Sequence, residues 1–151
     1  MSLLNYTTTV EAAKTVMEIQ GILVKHGARS LLLDYLKDGS IGALTFSVPT
    51  TRGDLSFKLP VNTEAVFKVL QKRHPNIAFH SITTAKDRAQ AARVAWRIIK
   101  DWVEAQMALI ELGMVKLEEV FLPYALLPSG ETYFQALERS GFKMLGMLGA
   151  G

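Results

Sequence analysis

The sequence predicts an α+β fold: a three-stranded antiparallel sheet packed against an N-terminal helix and a long central helix, with short C-terminal helices. The stretch from Thr84 to Leu112 lacks Gly and Pro and repeats apolar residues at helical spacing over about eight turns. Between residues 29 and 59, apolar and polar side chains alternate in three short segments separated by turn residues. The 151 residues, 49% of them apolar, are expected to form a single domain (residues 1–151), with loose ends at 1–8 and 146–151.

The long helix is predicted to begin at an N-cap, Thr84, and to end before Gly113, which can adopt the left-handed conformation of a C-terminal cap. Its apolar face is wide and includes two tryptophans. The predicted core residues are Trp96, Ile99, Trp102, Val103, Phe46 and Phe57. One small sheet cannot cover this much apolar surface, so the sequence also predicts a homo-oligomer.

A β-hairpin is the clearest local pattern. Its strands are predicted at 29–36 and 41–48, with Asp38-Gly39 as a type I′ turn, and a third strand follows at 55–59. The alternation gives the side chains expected to face the core: Leu31, Leu33 and Tyr35; Leu44, Phe46 and Val48; Leu55, Phe57 and Leu59.

Helices flank the hairpin and end the chain. The first is predicted at 9–26 with Thr9 as N-cap, and a shorter one runs from Asn62 or Thr63 to Arg73. Residues 76–83 are expected to be extended. After Gly113, a helix at 117–122 should stop at Pro123, and Ser129 should cap a last helix at 131–139.

The composition excludes several classes of protein. Without cysteine there are no disulfides or thiolate metal sites, and no apolar run approaches the roughly 18 residues of a membrane span. The first residues lack the basic and apolar regions of a signal peptide, so a cytoplasmic protein is expected. Phosphate-binding glycine loops, a nucleophile elbow and zinc-ligand spacing of the histidines are all missing from the sequence. We therefore predict no catalytic residue, metal or cofactor.

Charge is unevenly distributed along the chain. Residues 52–100 contain ten basic and three acidic residues, a net charge of +7, whereas the remainder carries −4. Within this block, Lys86, Arg93, Arg97 and Lys100 fall on one face of the long helix. If this face is continuous with the basic residues of the preceding helix and of the sheet edge, the combined surface suits binding to a phosphate backbone. The predicted nucleic-acid-binding residues are Arg52, Lys58, Lys68, Lys72, Arg73, Lys86, Arg93 and Arg97.

The competing interpretation is a solvated helix face held by local ion pairs. Arg97 with Asp101 and Lys100 with Glu104 have the i, i+4 spacing of such pairs, each contributing about 0.2–0.5 kcal/mol. The apolar long helix alone would then favour a homo-oligomeric protein-interaction or scaffold module without a nucleic-acid role.

Two stretches resemble small uncharacterised proteins of bacterial phages and mobile elements: Arg93 to Gln106, and Glu118 to Tyr124 followed by Ser129 to Thr132. The resemblance covers chiefly the C-terminal half and implies no known activity. It implies a cytoplasmic accessory protein that acts around phage or host nucleic acid.

The predicted order α-β-β-β-α is similar to that of the double-stranded RNA-binding domain. This chain departs from that family at the start of the following helix, Asn62-Thr63-Glu64-Ala65, where the family's lysine-rich start is missing. Together these patterns predict a non-enzymatic nucleic-acid-binding accessory protein that reads shape or strand type rather than sequence.

Overall fold

A three-stranded antiparallel sheet lies at the centre of the computed structural model, with strands in the order β1-β2-β3. The structure describes residues 3–73 and 81–146; at Arg73 and residues 81–83 only the backbone is described. The strands are β1 (Ser30–Tyr35), β2 (Ile41–Thr50) and β3 (Gly53–Lys58). The helices are α1 (Ala12–Lys25), α2 (Thr63–Arg73), α3 (Ser81–Glu111), α4 (Leu117–Phe121) and α5 (Tyr133–Arg139). The predicted α+β fold is confirmed.

The central strand carries the core side of the sheet. Leu44, Phe46 and Val48 are buried, and Phe46 pairs with Leu31 on one side and Phe57 on the other. The Phe46 and Phe57 rings stack with centroids 5.3 Å apart. The alternation of β2 therefore correctly predicts the side of the sheet that the helices cover.

The β1–β2 hairpin is present, but the predicted type I′ turn is wrong. Only Gly39 has a positive φ, and Leu36 N–H donates to the Ser40 carbonyl across a three-residue loop. Such a loop combines a type I turn with a glycine in the left-handed conformation. The Ser40 hydroxyl and then its backbone N–H donate to Asp38, and these hydrogen bonds hold the pKa of Asp38 below its usual 3.8.

Helices α1 and α3 lie side by side on the core face of the sheet and run parallel. Their contacts advance together along both helices, from Glu11 and Arg93 to His26 and Glu111. Trp96 and Val103 of α3 are fully buried, and Phe121 of α4 closes the core against Phe46 and Phe57. The other predicted core residues are also in place, Ile99 buried and Trp102 partly buried against the same cluster.

The long helix is confirmed, but its predicted start is wrong. α3 begins at Ser81, so Thr84 lies inside the first turns rather than at the N-cap, and residues 81–83 are helical rather than extended. The rest of the segment predicted to be extended lies outside the described residues. At the other end, Gly113 has φ 75°, and Met114 N–H donates to the Leu109 carbonyl, as in a Schellman motif.

Other predicted element ends also shift. α1 begins after Glu11, not Thr9, and α5 is capped by Thr132, whose side chain accepts from Gln135 N–H, rather than by Ser129. The α-helix α4 ends at Phe121, and a short 3-10 helix at Leu122–Tyr124 then carries the chain through Pro123. Asn62 is the cap of α2 and accepts from Ala65 N–H.

Two side chains predicted to face the core are exposed. Tyr35 follows a register shift at the end of edge strand β1, and Leu55 lies near the tight β2–β3 turn on the other edge strand. Residues 5–8, expected to be loose, hydrogen-bond to α3: Asn5 donates to Asp101, and Gln90 donates to the carbonyls of Tyr6 and Thr8.

Candidate nucleic-acid interface

Helix α2 and the first part of α3 form a helical hairpin, residues 63–73 and 81–92, which we call the α2–α3 arm. Phe67 and Leu70 of α2 pack against Ala91 of α3 in a small core separate from the main one. This packing fixes which face of α2 points outward, because residues three and four apart share a face of a helix.

Lys68 and Lys72 occupy the outer face of α2. Both are exposed and one turn apart, on the side away from Phe67 and Leu70. No carboxylate among the described residues lies within 4.0 Å of either ammonium group. Their charge is therefore available to a ligand.

Two further basic residues of the arm, Arg88 and Lys86, differ in whether a carboxylate pairs with them. Arg88 donates to Glu64 at 2.9 Å and lies over the Phe67 ring, 4.0 Å from its centroid, so it clamps α2 to α3. Lys86 is exposed and has no carboxylate within ion-pair distance in the described ranges. It lies five residues before Ala91, about 140° around the helix, and so faces away from α2.

The stripe Lys86, Arg93, Arg97 and Lys100 does share one face of α3, as predicted. Beyond Lys86, however, helix α1 covers this face with carboxylates. Arg97 donates to Glu18 at 2.8 Å, and Arg93 lies 3.7 Å from Glu11.

The local ion pairs predicted for this stripe are half confirmed. Lys100 pairs with Glu104 at 2.7 Å, as expected, and also lies 3.7 Å from Glu18. Asp101 instead accepts from Asn5 at 2.8 Å, because the arginine predicted to meet it turns to Glu18. The side chains of Arg97 and Lys100 are only 22% and 13% exposed, so this part of the stripe joins two helices.

Two of the remaining predicted contacts lie on the sheet or its turn, and the third ends α2. Arg52 is exposed in the two-residue turn between β2 and β3, and Lys58 is exposed at the end of β3. The backbone of Arg73 ends α2, and its side chain lies outside the described part. The eight predicted residues therefore do not form one continuous strip.

Lys58 lines an open groove of about 480 Å³, together with Tyr124, Phe134 and Glu138. The groove lies between the end of β3 and α5. Sequence reasoning missed it, because its walls come from segments more than 60 residues apart that share no local pattern.

The electrostatic poles of the protein lie towards opposite ends of α3. The arm carries five basic and two acidic residues, a net charge of +3, whereas residues 101–122 carry −4. The 31 residues of α3 extend about 46 Å, so these poles are separated by several Debye lengths. An anionic polymer would be attracted to the arm end of the molecule and repelled from the other.

The titratable side chains of the described residues do not match the arrangements that hold metal ions. No group of three or more His, Asp or Glu side chains among these residues could hold a metal ion. His26 contacts Glu111 at 2.7 Å and the Ile22 carbonyl at 2.8 Å in an open cleft between α1 and α3. The Nε2 contact with Glu111 ties the two helices together.

Comparison with known proteins adds no family. Neither the family models, the curated proteins nor the solved structures include a match to this chain. No helix in the described ranges is both long and apolar enough to cross a membrane. The function is therefore assigned from the geometry of the site. This site is a basic helical hairpin whose outer lysines have no carboxylate within 4.0 Å among the described residues.

Proposed function

We propose that this protein is a non-enzymatic nucleic-acid-binding accessory protein, of the phage or mobile-element type and cytoplasmic, that holds nucleic acid on its α2–α3 arm. The observation that carries the proposal is the pair Lys68 and Lys72, exposed one turn apart without a carboxylate within 4.0 Å among the described residues. Lysine ammonium groups in this setting neutralise backbone phosphates.

The contact set is smaller than the sequence suggests. Lys68 and Lys72 form this set, whereas Lys86 faces away from α2 and therefore lies on the opposite side of the arm. Arg93 and Arg97 are assigned to the α1–α3 junction, because their guanidinium groups already face Glu11 and Glu18. Removing them from the contact set leaves a short, basic surface.

Binding of this kind recognises charge and shape, not base sequence. Lysine acts as a flexible point charge, without the bidentate geometry with which arginine reads guanine. The outer face of the sheet supports the same view, because its central positions are the small or polar side chains Ala43, Thr45 and Ser47, with no aromatic ring for base stacking.

Charge reversal on the arm tests the proposal. In about 50 mM salt we expect Lys68→Glu/Lys72→Glu to weaken binding of short single-stranded or duplex DNA or RNA by at least about tenfold, because each lost phosphate contact removes a counterion-release term. Fluorescence anisotropy with labelled oligonucleotides measures the affinity.

The matched control is Lys37→Glu/Lys143→Glu, which makes the same change in net charge at two exposed sites outside the arm. The control should bind far more tightly than the arm variant. Equal loss of affinity in both variants would mean that net charge alone attracts nucleic acid, and the arm would no longer be the site.

A homo-oligomeric protein-interaction module is the second candidate. It is favoured by large apolar side chains left uncovered in the described chain, which include Met17 on α1 and Leu32 on β1, each more than half exposed. Such surface on a small domain commonly marks an interaction site.

A further inference from the structure

The two edge strands of the sheet differ in whether their outer backbone groups have a hydrogen-bond partner. Along β3, the segment after α4 adds a short extension: Ala125 bridges Phe57, and Leu126 N–H donates to the Ser56 carbonyl at 2.8 Å. Along β1, no backbone group of residues 3–73 or 81–146 pairs with the outer edge. Alternate N–H and C=O groups of β1 therefore point away from the sheet, without a backbone partner in the described part of the chain.

β1 has little of the protection that is normal for an edge strand, because its one charged residue is Asp34 and its register shift comes only after Asp34, at the end of the strand. It contains neither proline nor lysine, and Leu32 in its middle is 59% exposed on the outer face of the sheet. Leu31 and Leu33 face the core, yet they are only half-buried because no strand among the described residues lies beyond them. An exposed apolar edge of this kind is a template for another strand.

We propose that β1 pairs in antiparallel orientation with β1 of a second copy of this chain, with Leu32 on the two-fold axis. The pairing joins two three-stranded sheets into one six-stranded sheet whose helices lie on the same face. It gives the second candidate function a defined surface and does not depend on nucleic-acid binding.

The chemistry of the strand selects this register. Opposite residues in an antiparallel pair share a face, so an axis at Leu32 places Leu31 opposite Leu33 of the second copy on the core side. On the outer side, Leu32 meets Leu32, and Asp34 meets Ser30, whose hydroxyl can donate to the carboxylate. Every position therefore finds a compatible neighbour.

Other registers do not. An axis at Leu31 places Leu33 opposite Arg29, and an axis at Leu33 places Leu32 opposite Asp34. The regular part of β1 is Ser30–Asp34, because its register with β2 shifts after Asp34. Leu32 is the middle residue of these five, so an axis there pairs the whole regular segment with its copy.

Charge selects the second copy and the direction of pairing. Arg29 precedes β1 and Asp34 lies near its end, with no ion pair for either in the described residues. Antiparallel self-pairing brings each Arg29 to the end of the strand where the other copy has Asp34. Parallel pairing would bring like charges together.

Because the chain contains no cysteine, a single introduced cysteine reports on one contact. We expect Leu32→Cys to form a covalent dimer under mild oxidation or with a short thiol–thiol cross-linker, since opposite Cβ atoms lie about 4.5–5.5 Å apart. Ser30→Cys alone should not link, because its own copy lies four residues, about 13 Å, along the strand. Adding Asp34→Cys to Ser30→Cys should restore the link.

Sedimentation velocity of the unmodified chain and of Leu32→Glu completes the test. The unmodified chain should dimerise with rising concentration, and Leu32→Glu, which places two carboxylates on the axis, should remain a folded monomer. Leu112→Glu, a charge at a site outside β1 that is also more than half exposed, should dimerise normally.

The outcomes separate this inference from the second candidate function. A monomer at every concentration would overturn both. A dimer in which Leu32→Cys links no better than Leu112→Cys, or which Leu32→Glu does not dissociate, would overturn the β1 pairing and leave another surface for the oligomer.

Discussion

Replacing Trp96 with alanine should lower the free energy of unfolding by about 3–5 kcal/mol, a large part of the 5–15 kcal/mol that stabilises a typical domain. The Trp96 side chain is fully buried where α3 crosses the sheet, and its indole N–H donates to the Ile41 carbonyl at 3.3 Å. The substitution leaves a cavity and removes this hydrogen bond together. Urea denaturation followed by far-UV circular dichroism measures the loss.

Leu112→Ala is the matched control, because Leu112 follows the same helix but is 70% exposed. Its effect should stay within about 0.5 kcal/mol. A Trp96→Ala protein that unfolds within about 1 kcal/mol of the unmodified protein would mean that the sheet and the long helix are not packed as described.

Charge reversal at Arg97 should lower the free energy of unfolding by about 2–3 kcal/mol, somewhat less than breaking a fully buried ion pair. Arg97→Glu places a carboxylate beside Glu18, in a site where the arginine side chain is only 22% exposed. The α1–α3 junction then contains two facing acidic side chains, while Lys100 lies 3.7 Å from Glu18 and is already paired with Glu104. Thermal and urea unfolding should both report the change.

Lys86→Glu makes the same change in charge on the same face of α3, beyond the part covered by α1. Because Lys86 is exposed and has no carboxylate within ion-pair distance in the described ranges, the variant should lose no more than about 0.5 kcal/mol. Similar stability of the two variants would show that Arg97 faces solvent, and would return it to the candidate nucleic-acid contacts.

The elements of the fold are predictable where their signals are local. Trp96, Ile99 and Val103 repeat at helical spacing within a few turns, and Gly39 and Gly113 lie where the backbone needs a positive φ. The turn type around Gly39 was not predictable, because a type I turn with a left-handed glycine and a type I′ turn both favour Asp-Gly-like sequences.

The ends of elements are less predictable, because several residues compete to cap a helix. Ser81, Thr83 and Thr84 are all of the polar kind that caps helices, and all three lie within α3, which begins at Ser81. Which side chains of an edge strand are buried is also hard to predict from the sequence. Tyr35 continues the alternation of β1, but the register shift after Asp34 leaves it without a cover.

The candidate site was predicted only in part, because the decisive ion pairs join distant parts of the chain. Arg97 and Glu18 are 79 residues apart, whereas a sequence shows directly only the neighbours three or four positions away. Counting charges within one segment therefore overestimated the free basic surface. Lys68 and Lys72 remain candidate contacts, because Phe67 and Leu70 face inward on the same helix and both lysines lie on its outer side.

The salt dependence of nucleic-acid binding measures the arm's contribution most directly. The logarithm of the association constant should fall linearly with the logarithm of salt concentration. Lys68→Ala/Lys72→Ala should reduce that slope by about 1.8 for duplex DNA, or about 1.4 for a single strand. Lys37→Ala/Lys143→Ala should leave the slope unchanged. If the unmodified protein does not bind in low salt, or if the arm variant keeps the full slope, the arm is not a nucleic-acid interface.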